Sequence, residues 1–335
     1  MQTWHEKKNK LQALPKIELH IHLEGCISLS TLKFLAQKNN ITLPKHLAEK
    51  ENLSFKNFDE FVQTFYAICN AIADEGDFKF IAKDLVDYVK RNNIIYCEVS
   101  FTPIIYLNRD FSFAKIMAVL NDEIDAHDLT SSIFFIIDTQ RDHGVKVGQM
   151  VFNKVLQTKG YNIVGIGMTG QEVGFLASDY AALYNKMHDA GYGLAAHAGE
   201  YGGANDVWQC VLDLKVKRIG HGIRSITDDR LLAYLKEHKI HLEVSPTSNV
   251  RLCRVDNYAA HPIKDFLSMG LNVGINSDDP GIFNTDLTDE YLNVVNTFNF
   301  DTSVLKRCNI NAVHAAFTSA ANKQHLLTII NKYWH

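Results

Sequence analysis

The chain has 335 residues, of which 46% are hydrophobic and 21% are charged, and its formal net charge is −4. This balance excludes a strongly cationic surface, so we do not expect nucleic acid as a partner. No apolar run is long enough to cross a membrane, and the polar, basic N-terminus has no apolar segment behind it. Six scattered cysteines without a CxxC pair are typical of free thiols. We therefore expect a cytoplasmic protein without a signal peptide, and composition leaves its oligomeric state open.

Eight short apolar runs recur along the chain, most of them without polar alternation, as expected for strands buried on both faces of a parallel sheet. They are Ile17–Leu23, Ile94–Phe101, Ile133–Asp138, Ile163–Met168, Gly193–His197, Arg218–His221, His241–Ser245 and Asn272–Ser277. Most are followed by a helical pattern, which predicts an α/β chain folded as a (β/α)8 TIM barrel in a single domain over residues 1–335. A doubly wound open sheet is the alternative, and the lack of a GxGxxG motif after the first strand disfavours it.

Two segments add to this alternation. The long stretch Ser28–Asn92, between the first two strands, predicts an insertion of three or four helices above the mouth of the barrel, and Leu287–Tyr333 predicts extra C-terminal helices. Aromatic residues at near-helical spacing in the insertion could wall a pocket, although for most of them we favour packing against the barrel. They are Phe55, Phe58, Phe61, Phe65 and Tyr66.

Two histidines, His20 and His22, lie at the end of the first predicted strand. Side chains two residues apart point to the same face of a strand, so both imidazoles should point into the barrel at its upper rim. Two ligands of one metal ion need this geometry, but an HxH pair alone is equally compatible with packing.

Later strands end in residues of the same kind. His197 ends the fifth strand, His221 ends the sixth, and Asp278 and Asp279 follow the eighth. The carboxyl ends of barrel strands converge on one site, and imidazole and carboxylate ligands suit a catalytic zinc ion. The tip of the fourth strand offers no lysine or glutamate to bridge two ions, which favours a single metal.

An acidic residue, Glu200, lies three positions after His197 on the loop that leaves the fifth strand. From there its carboxyl can face a substrate without binding the metal, so a proton donor or acceptor is its natural role. The competing interpretation is an acid favoured by a helix dipole.

Together these segments resemble the motifs of the adenosine deaminase family of amidohydrolase barrels. The matching segments follow the family's order and span nearly the whole chain: Pro15–Gly25, His197–Glu200, Arg218–Gly222, Ser245–Asn249 and Ser277–Pro280. The resemblance implies a zinc-dependent aminohydrolase that removes the 6-amino group of a purine. It implies one zinc ion per chain, bound by His20, His22, His197 and Asp278.

The resemblance also implies roles for the surrounding residues. Glu200 would protonate N1 of the purine, and His221 would orient and deprotonate the attacking water, whose pKa zinc lowers to roughly 7. Asp279 would hydrogen-bond N7, for which its carboxyl must be protonated, and burial beside other acids favours that state. Gly170 would offer its backbone N–H to N3.

Two positions bear on the identity of the purine substrate. Adenosine-specific members usually carry aspartate where this chain has Glu24, whereas relatives that act on adenine or on 6-aminodeoxyfutalosine carry glutamate. The segment Gly167–Glu172 keeps the glycine of the adenosine type, Gly170, but has Gly167 where that type has an aspartate. We expect adenosine or a 5′-modified adenosine such as 6-aminodeoxyfutalosine, with adenine as the alternative.

Two other classes of protein remain in view. Another metal-dependent hydrolase on the same barrel is disfavoured by the missing bridging lysine and by Glu200. A non-catalytic binding protein would not need the proton-transfer groups of Glu200 and His221. Arg141 and His143 follow the third strand at the same rim, where they could contact substrate or form a surface salt bridge.

Overall fold

The computed structural model describes residues 4–49, 53 and 55–334. Within them, eight parallel strands form one sheet in which each strand pairs with the next in sequence. The strands are β1 (Lys16–His22), β2 (Ile94–Phe101), β3 (Ile133–Gln140), β4 (Ile163–Thr169), β5 (Gly193–Ala198), β6 (Arg218–His221), β7 (His241–Val244) and β8 (Asn272–Ile275). The predicted (β/α)8 barrel is confirmed, and the alternative of an open doubly wound sheet is wrong because the strand order never reverses.

The described helices occupy the predicted places. They are α1 (Trp4–Ala13), α2 (Leu29–Lys38), α3 (Lys45–Ala48), α4 (Phe58–Ala71), α5 (Phe78–Arg91), α6 (Ile104–Leu107), α7 (Phe113–Asp125), α8 (Val145–Gln157), α9 (Ala181–Asp189), α10 (Ala204–Leu212), α11 (Asp229–Glu237), α12 (Pro246–Arg251), α13 (Ile263–Ser268), α14 (Pro280–Phe283), α15 (Leu287–Phe298), α16 (Thr302–Ala315) and α17 (Ala320–Tyr333). Helices α2 to α5 form the predicted insertion, and α15 to α17 form the predicted C-terminal extension. In this part of the chain, no helix has the length and apolar character needed to span a membrane.

The barrel closes between β8 and β1 without a regular ladder. A single bridge joins Ile21 to Asp278. The backbone N–H of His22 donates to the Asp278 carbonyl oxygen at 2.8 Å, and the N–H of Asp278 donates to the His20 carbonyl oxygen at 3.2 Å. The closure therefore holds Asp278 directly against the two histidines of β1.

A buried ionic network fills part of the barrel interior below these strand ends. Arg218, at the start of β6, forms ion pairs with Glu98 of β2 and Glu243 of β7. It also donates to the Leu19 carbonyl oxygen of β1 at 2.9 Å. Buried charges are costly unless they are paired and hydrogen-bonded, and here each has partners. The network fixes four strands relative to one another beneath the site.

His241, at the start of β7, should make stability depend on pH. It is buried, and its Nδ1 lies 2.9 Å from Asn272 Oδ1. Burial lowers the pKa of His241 from 6.5 to about 4. Between these values the unfolded chain binds a proton that the folded protein does not, so stability present above pH 6.5 is lost as the pH falls towards 4. We expect the titration of His241 to lower the free energy of unfolding of the wild type by about 2 kcal/mol between pH 7 and pH 5.

Urea unfolding of wild type and His241→Gln at both pH values measures this contribution. The free energy of unfolding of the variant should fall less between pH 7 and pH 5, by about that amount. Equal pH dependence in the two proteins would show that His241 does not titrate on unfolding.

Candidate active site

The two histidines of β1 meet Asp278 and His197 at the carboxyl end of the barrel. His20 Nδ1 lies 2.9 Å from Glu243 Oε2, which leaves Nε2 for a metal. That Nε2 is buried without a hydrogen-bond partner among the described residues and lies 3.5 Å from Asp278 Oδ1. His22 Nε2 lies 3.2 Å both from Asp278 Oδ1 and from His197 Nε2. Asp278 Oδ1 thus lies within 3.5 Å of the Nε2 atoms of both His20 and His22.

His197, in β5, is oriented from below. Its Nδ1 lies 3.1 Å from the Met168 carbonyl oxygen, which can only accept, so Nδ1 carries the proton and Nε2 the lone pair. Arg141 is buried and donates to the His197 carbonyl oxygen. Arg141 therefore supports His197 and does not form the surface salt bridge that was one expectation for it, while His143 is exposed.

Two histidines compete for one place in the metal-binding set. Ligand atoms of His20, His197, His221 and Asp278 all lie within 4.8 Å of one another, so the set includes His221 and not the predicted His22. Neighbouring ligands around a tetrahedral zinc ion lie about 3.3 Å apart. His22 Nε2 approaches Asp278 to 3.2 Å, whereas His221 Nε2 remains 3.9 Å from Asp278 Oδ2. The distances therefore favour His22 as the fourth ligand.

The backbone aims two of these side chains through an unusual conformation. His221, the last residue of β6, has a φ of 62°, and Asp278, just after β8, has a φ of 66°. Residues other than glycine rarely adopt this region, and such strain concentrates at functional sites. Both side chains thereby turn over the mouth of the barrel.

A single carboxylate holds the loop that carries Glu200. Glu172 is buried and accepts the backbone N–H groups of four consecutive residues, at 2.7, 3.1, 3.2 and 3.2 Å. These are Gly199, Glu200, Tyr201 and Gly202. No role is predicted for Glu172 from the sequence, in which its only signal is an acidic residue in the loop after the fourth strand.

Three carboxyl groups near the site are held towards their neutral form. Burial, together with the carboxylates of Asp278 and Glu172, raises the pKa of Glu200 well above its usual range. Burial and the adjacent Asp278 raise the pKa of Asp279 to about 7. Burial raises the pKa of Glu24 to about 8. A protonated carboxyl can donate a proton or a hydrogen bond, which a carboxylate cannot.

A cavity of about 530 Å³ opens above the histidines, within the usual range for small-molecule sites. The cavity is lined by seven of the predicted site residues: His22, Gly170, His197, Glu200, His221, Asp278 and Asp279. Phe61, Phe65 and Tyr66 of α4 also line it. Phe61 and Phe65 pack against the core as well, as expected for most of these aromatic residues. Phe55 is buried against Phe61 and Phe283, and the side chain of Phe58 lies outside the described residues.

The two remaining predicted substrate contacts differ in position. Gly170 lines the cavity with a φ of 87°, and a Cβ there would lie 2.1 Å from Asp142 Oδ1, so this position requires glycine. Glu24 is buried in the turn after β1, and within the described residues it does not line the cavity. The geometry thus brings Gly170 and Asp279 to the cavity, but not Glu24.

Comparison with known proteins gives matches over nearly the whole chain. A sequence model of the family described as adenosine deaminase matches residues 15–333. An adenine deaminase of Acinetobacter baylyi is 31% identical over 326 residues, covering 96% of this chain and 98% of that protein. An aminodeoxyfutalosine deaminase of Streptomyces avermitilis is 30% identical over 342 residues, covering 99% and 94%. The crystal structure of an adenine deaminase from Arthrobacter aurescens has a TM-score of 0.89 at 29% identity, covering 96% and 99%.

Proposed function

Because this chain belongs to the adenosine deaminase family and is a hydrolytic deaminase, we propose that it removes the 6-amino group of adenosine or of a 5′-modified adenosine. The observation that carries the proposal is one cavity that combines a metal-ligand set with a buried, neutral carboxyl, Glu200. Residues 1–335 act as one catalytic domain. The reaction consumes water and releases ammonia and the 6-oxo purine.

One zinc ion per chain is held by His20, His22, His197 and Asp278. The donor set fits, since the His20 Nε2 atom has no hydrogen-bond partner within the described residues and Glu243 orients the opposite nitrogen of the ring. Three imidazoles and one carboxylate are ligands that zinc accepts, with room for a water. A bound zinc ion supplies Lewis acidity, which brings a water into the range of ionisation at neutral pH.

Glu200 performs the proton transfer, and His221 orients the attacking water. Glu200, neutral because it is buried among carboxylates, donates its proton to N1 of the purine and makes C6 more electrophilic. His221 Nε2 lies 3.6 Å from Glu200 Oε2, and both residues line the cavity, so His221 can orient the attacking water beside Glu200. The water oxygen bonds to C6, and the amino group leaves as ammonia.

Asp279 and Gly170 hold the plane of the purine. Asp279 Oδ1 is buried without a hydrogen-bond partner among the described residues, and its pKa of about 7 permits it to donate to N7. Gly170, which also lines the cavity, offers its backbone N–H to N3. Both contacts are directed to ring nitrogens that adenosine and adenine share, so they do not discriminate between these substrates.

The size and lining of the cavity favour the larger substrate. A volume of about 530 Å³ suits a ligand of drug-like size rather than a lone base. The aromatic wall of Phe61, Phe65 and Tyr66 offers apolar surface to whatever extends from the purine. The aminodeoxyfutalosine deaminase among the relatives is consistent with a 5′-modified adenosine, whereas the adenine deaminases make adenine the second candidate.

Parallel rate measurements with adenosine, 6-aminodeoxyfutalosine and adenine test the proposal through the ultraviolet change on deamination. We expect kcat/KM for the better nucleoside to exceed that for adenine by about 10- to 100-fold, because added contacts strengthen transition-state binding by such factors. A higher value for adenine would replace the first candidate by the second. No deamination of any of the three would refute the proposed activity.

A further inference from the structure

His221 ends a chain of three buried hydrogen bonds that begins at a backbone N–H. The N–H of Ile263 donates to His261 Nδ1 at 3.1 Å. His261 Nε2 lies 3.1 Å from Asn249 Oδ1, and Asn249 Nδ2 lies 3.1 Å from His221 Nδ1. The three side chains are at most 2% exposed, so water does not compete for these bonds.

The direction of the chain follows from its first member. A backbone N–H can only donate, so His261 Nδ1 carries a lone pair and its proton lies on Nε2. Asn249 Oδ1 accepts that proton, which leaves Asn249 Nδ2 to donate to His221 Nδ1. His221 Nδ1 therefore carries the lone pair, and its proton lies on Nε2.

We propose that Asn249 and His261 are positioning residues that fix His221 in the Nε2–H tautomer, so that His221 donates a hydrogen bond to the attacking water and neither takes its proton nor binds the metal. Its N–H faces Glu200 Oε2 at 3.6 Å and Asp278 Oδ2 at 3.9 Å. The role rests on the proposed function, whereas the tautomer rests on the hydrogen bonds alone.

The proton balance of the reaction changes accordingly. The family resemblance implies that His221 deprotonates the water, but an imidazole with a proton on Nε2 has no lone pair on that nitrogen. Glu200 becomes a carboxylate when it protonates N1, and it then takes the proton that the water loses on bonding to C6. The same carboxyl returns this proton to the amino group, and the C6–N bond breaks to release ammonia. The remaining hydroxyl proton on the C6 oxygen then passes to Glu200 as the C6=O bond forms, which restores the neutral carboxyl.

The opposite tautomer of His221, with its proton on Nδ1, cannot satisfy all three hydrogen bonds. A proton on His221 Nδ1 would require Asn249 to turn its oxygen towards His221 and its NH₂ towards His261. His261 Nε2 would then have to accept, and its Nδ1 proton would face the N–H of Ile263. Two donors would then oppose each other in a buried site, which is why the observed direction is stable.

Long-range ¹H–¹⁵N NMR of the histidine rings in the zinc-loaded protein tests the tautomer directly. The His221 signals are identified by their loss in His221→Gln. We expect a proton on Nε2 and a bare Nδ1 in the wild type. In Asn249→Asp, the carboxylate can only accept a hydrogen bond from His221, so the imidazole proton of His221 should move from Nε2 to Nδ1. A bare Nε2 on His221 in the wild type would overturn the proposal, and this measurement does not depend on any substrate.

Kinetics test the positioning role with matched variants. We expect Asn249→Asp and His261→Leu to lower kcat by about 10²- to 10⁴-fold with little change in KM, because a catalytic histidine in the wrong tautomer loses activity on this scale. His261→Gln, which keeps one donor and one acceptor, should retain most of the activity. His241→Leu is the matched control. It removes the contact of 2.9 Å between His241 Nδ1 and Asn272 Oδ1, at the start of β7 away from the site, and should leave kcat unchanged.

The outcomes separate this inference from the proposed function. An unchanged kcat in Asn249→Asp, with the proton moved to Nδ1, would refute the positioning role. So would an equal loss in His241→Leu and His261→Leu, since the effect would then be a general loss of packing. A wild-type protein with the expected tautomer but without deaminase activity would refute the proposed function and leave the tautomer assignment intact.

Discussion

Replacing Glu200 with glutamine should lower kcat by about 10²- to 10⁴-fold, the range that general acid–base groups contribute. Glutamine preserves the shape of the side chain and can hydrogen-bond, but it has no proton to give to N1. The wild-type carboxyl holds that proton because burial, Asp278 and Glu172 raise its pKa. Zinc content should remain at about one ion per chain, because Glu200 lies outside the proposed ligand set.

Steady-state kinetics and elemental analysis of the same preparation separate the two effects. The matched control is Glu237→Gln on the exposed side of α11, which should match the wild type in both measurements. Full activity in Glu200→Gln would remove Glu200 from the mechanism. Loss of zinc in that variant would instead make Glu200 a ligand.

The barrel was predictable because its strands are buried on both faces and appear in the sequence as continuous apolar runs. The ends of the last two strands were harder to predict. β7 ends at Val244 and β8 at Ile275, short of the predicted ends. The side chain of Asn276 accepts the N–H groups of Leu19 and His20 at 2.9 and 3.1 Å, in place of a regular ladder. A side chain that substitutes for a strand contact leaves no periodic signal.

The polar residues at the strand ends of the site were predictable as well, because the topology of the barrel brings the strand ends together. Their supports were not, because each depends on a contact between distant segments. Glu172 binds the Glu200 loop, which lies 27 to 30 positions further along the chain. Glu243 reaches His20 across 223 positions. No local spacing marks such pairs.

One departure from the family pattern also has a spatial explanation. Gly167 stands where adenosine-type members carry aspartate, and a Cβ there would lie 1.9 Å from Asp138 Oδ1. The two residues are paired across β3 and β4. The carboxyl of Asp138 thus occupies the space beside the fourth strand that a side chain at position 167 would need. The sequence showed the missing aspartate but not the neighbour that fills its place.

Replacing His22 and His221 separately by alanine should produce opposite defects. His22→Ala removes a ligand atom 3.2 Å from Asp278 Oδ1 and should weaken zinc binding by more than about 100-fold, beyond the cost of losing an outer-shell partner. His221→Ala should keep zinc affinity within about 10-fold of the wild type and lower kcat by about 10²- to 10⁴-fold. Competition with a chromophoric chelator measures the affinity.

The comparison decides between two ligand sets that share His20, His197 and Asp278. In both variants only one imidazole is lost, so a shared loss of stability affects them alike and the difference between them reports the metal. The reverse pattern, with zinc lost in His221→Ala and kept in His22→Ala, would make His221 the fourth ligand. Its Nε2 would then have to carry a lone pair, and the chain of hydrogen bonds through Asn249 would have to run in the opposite direction.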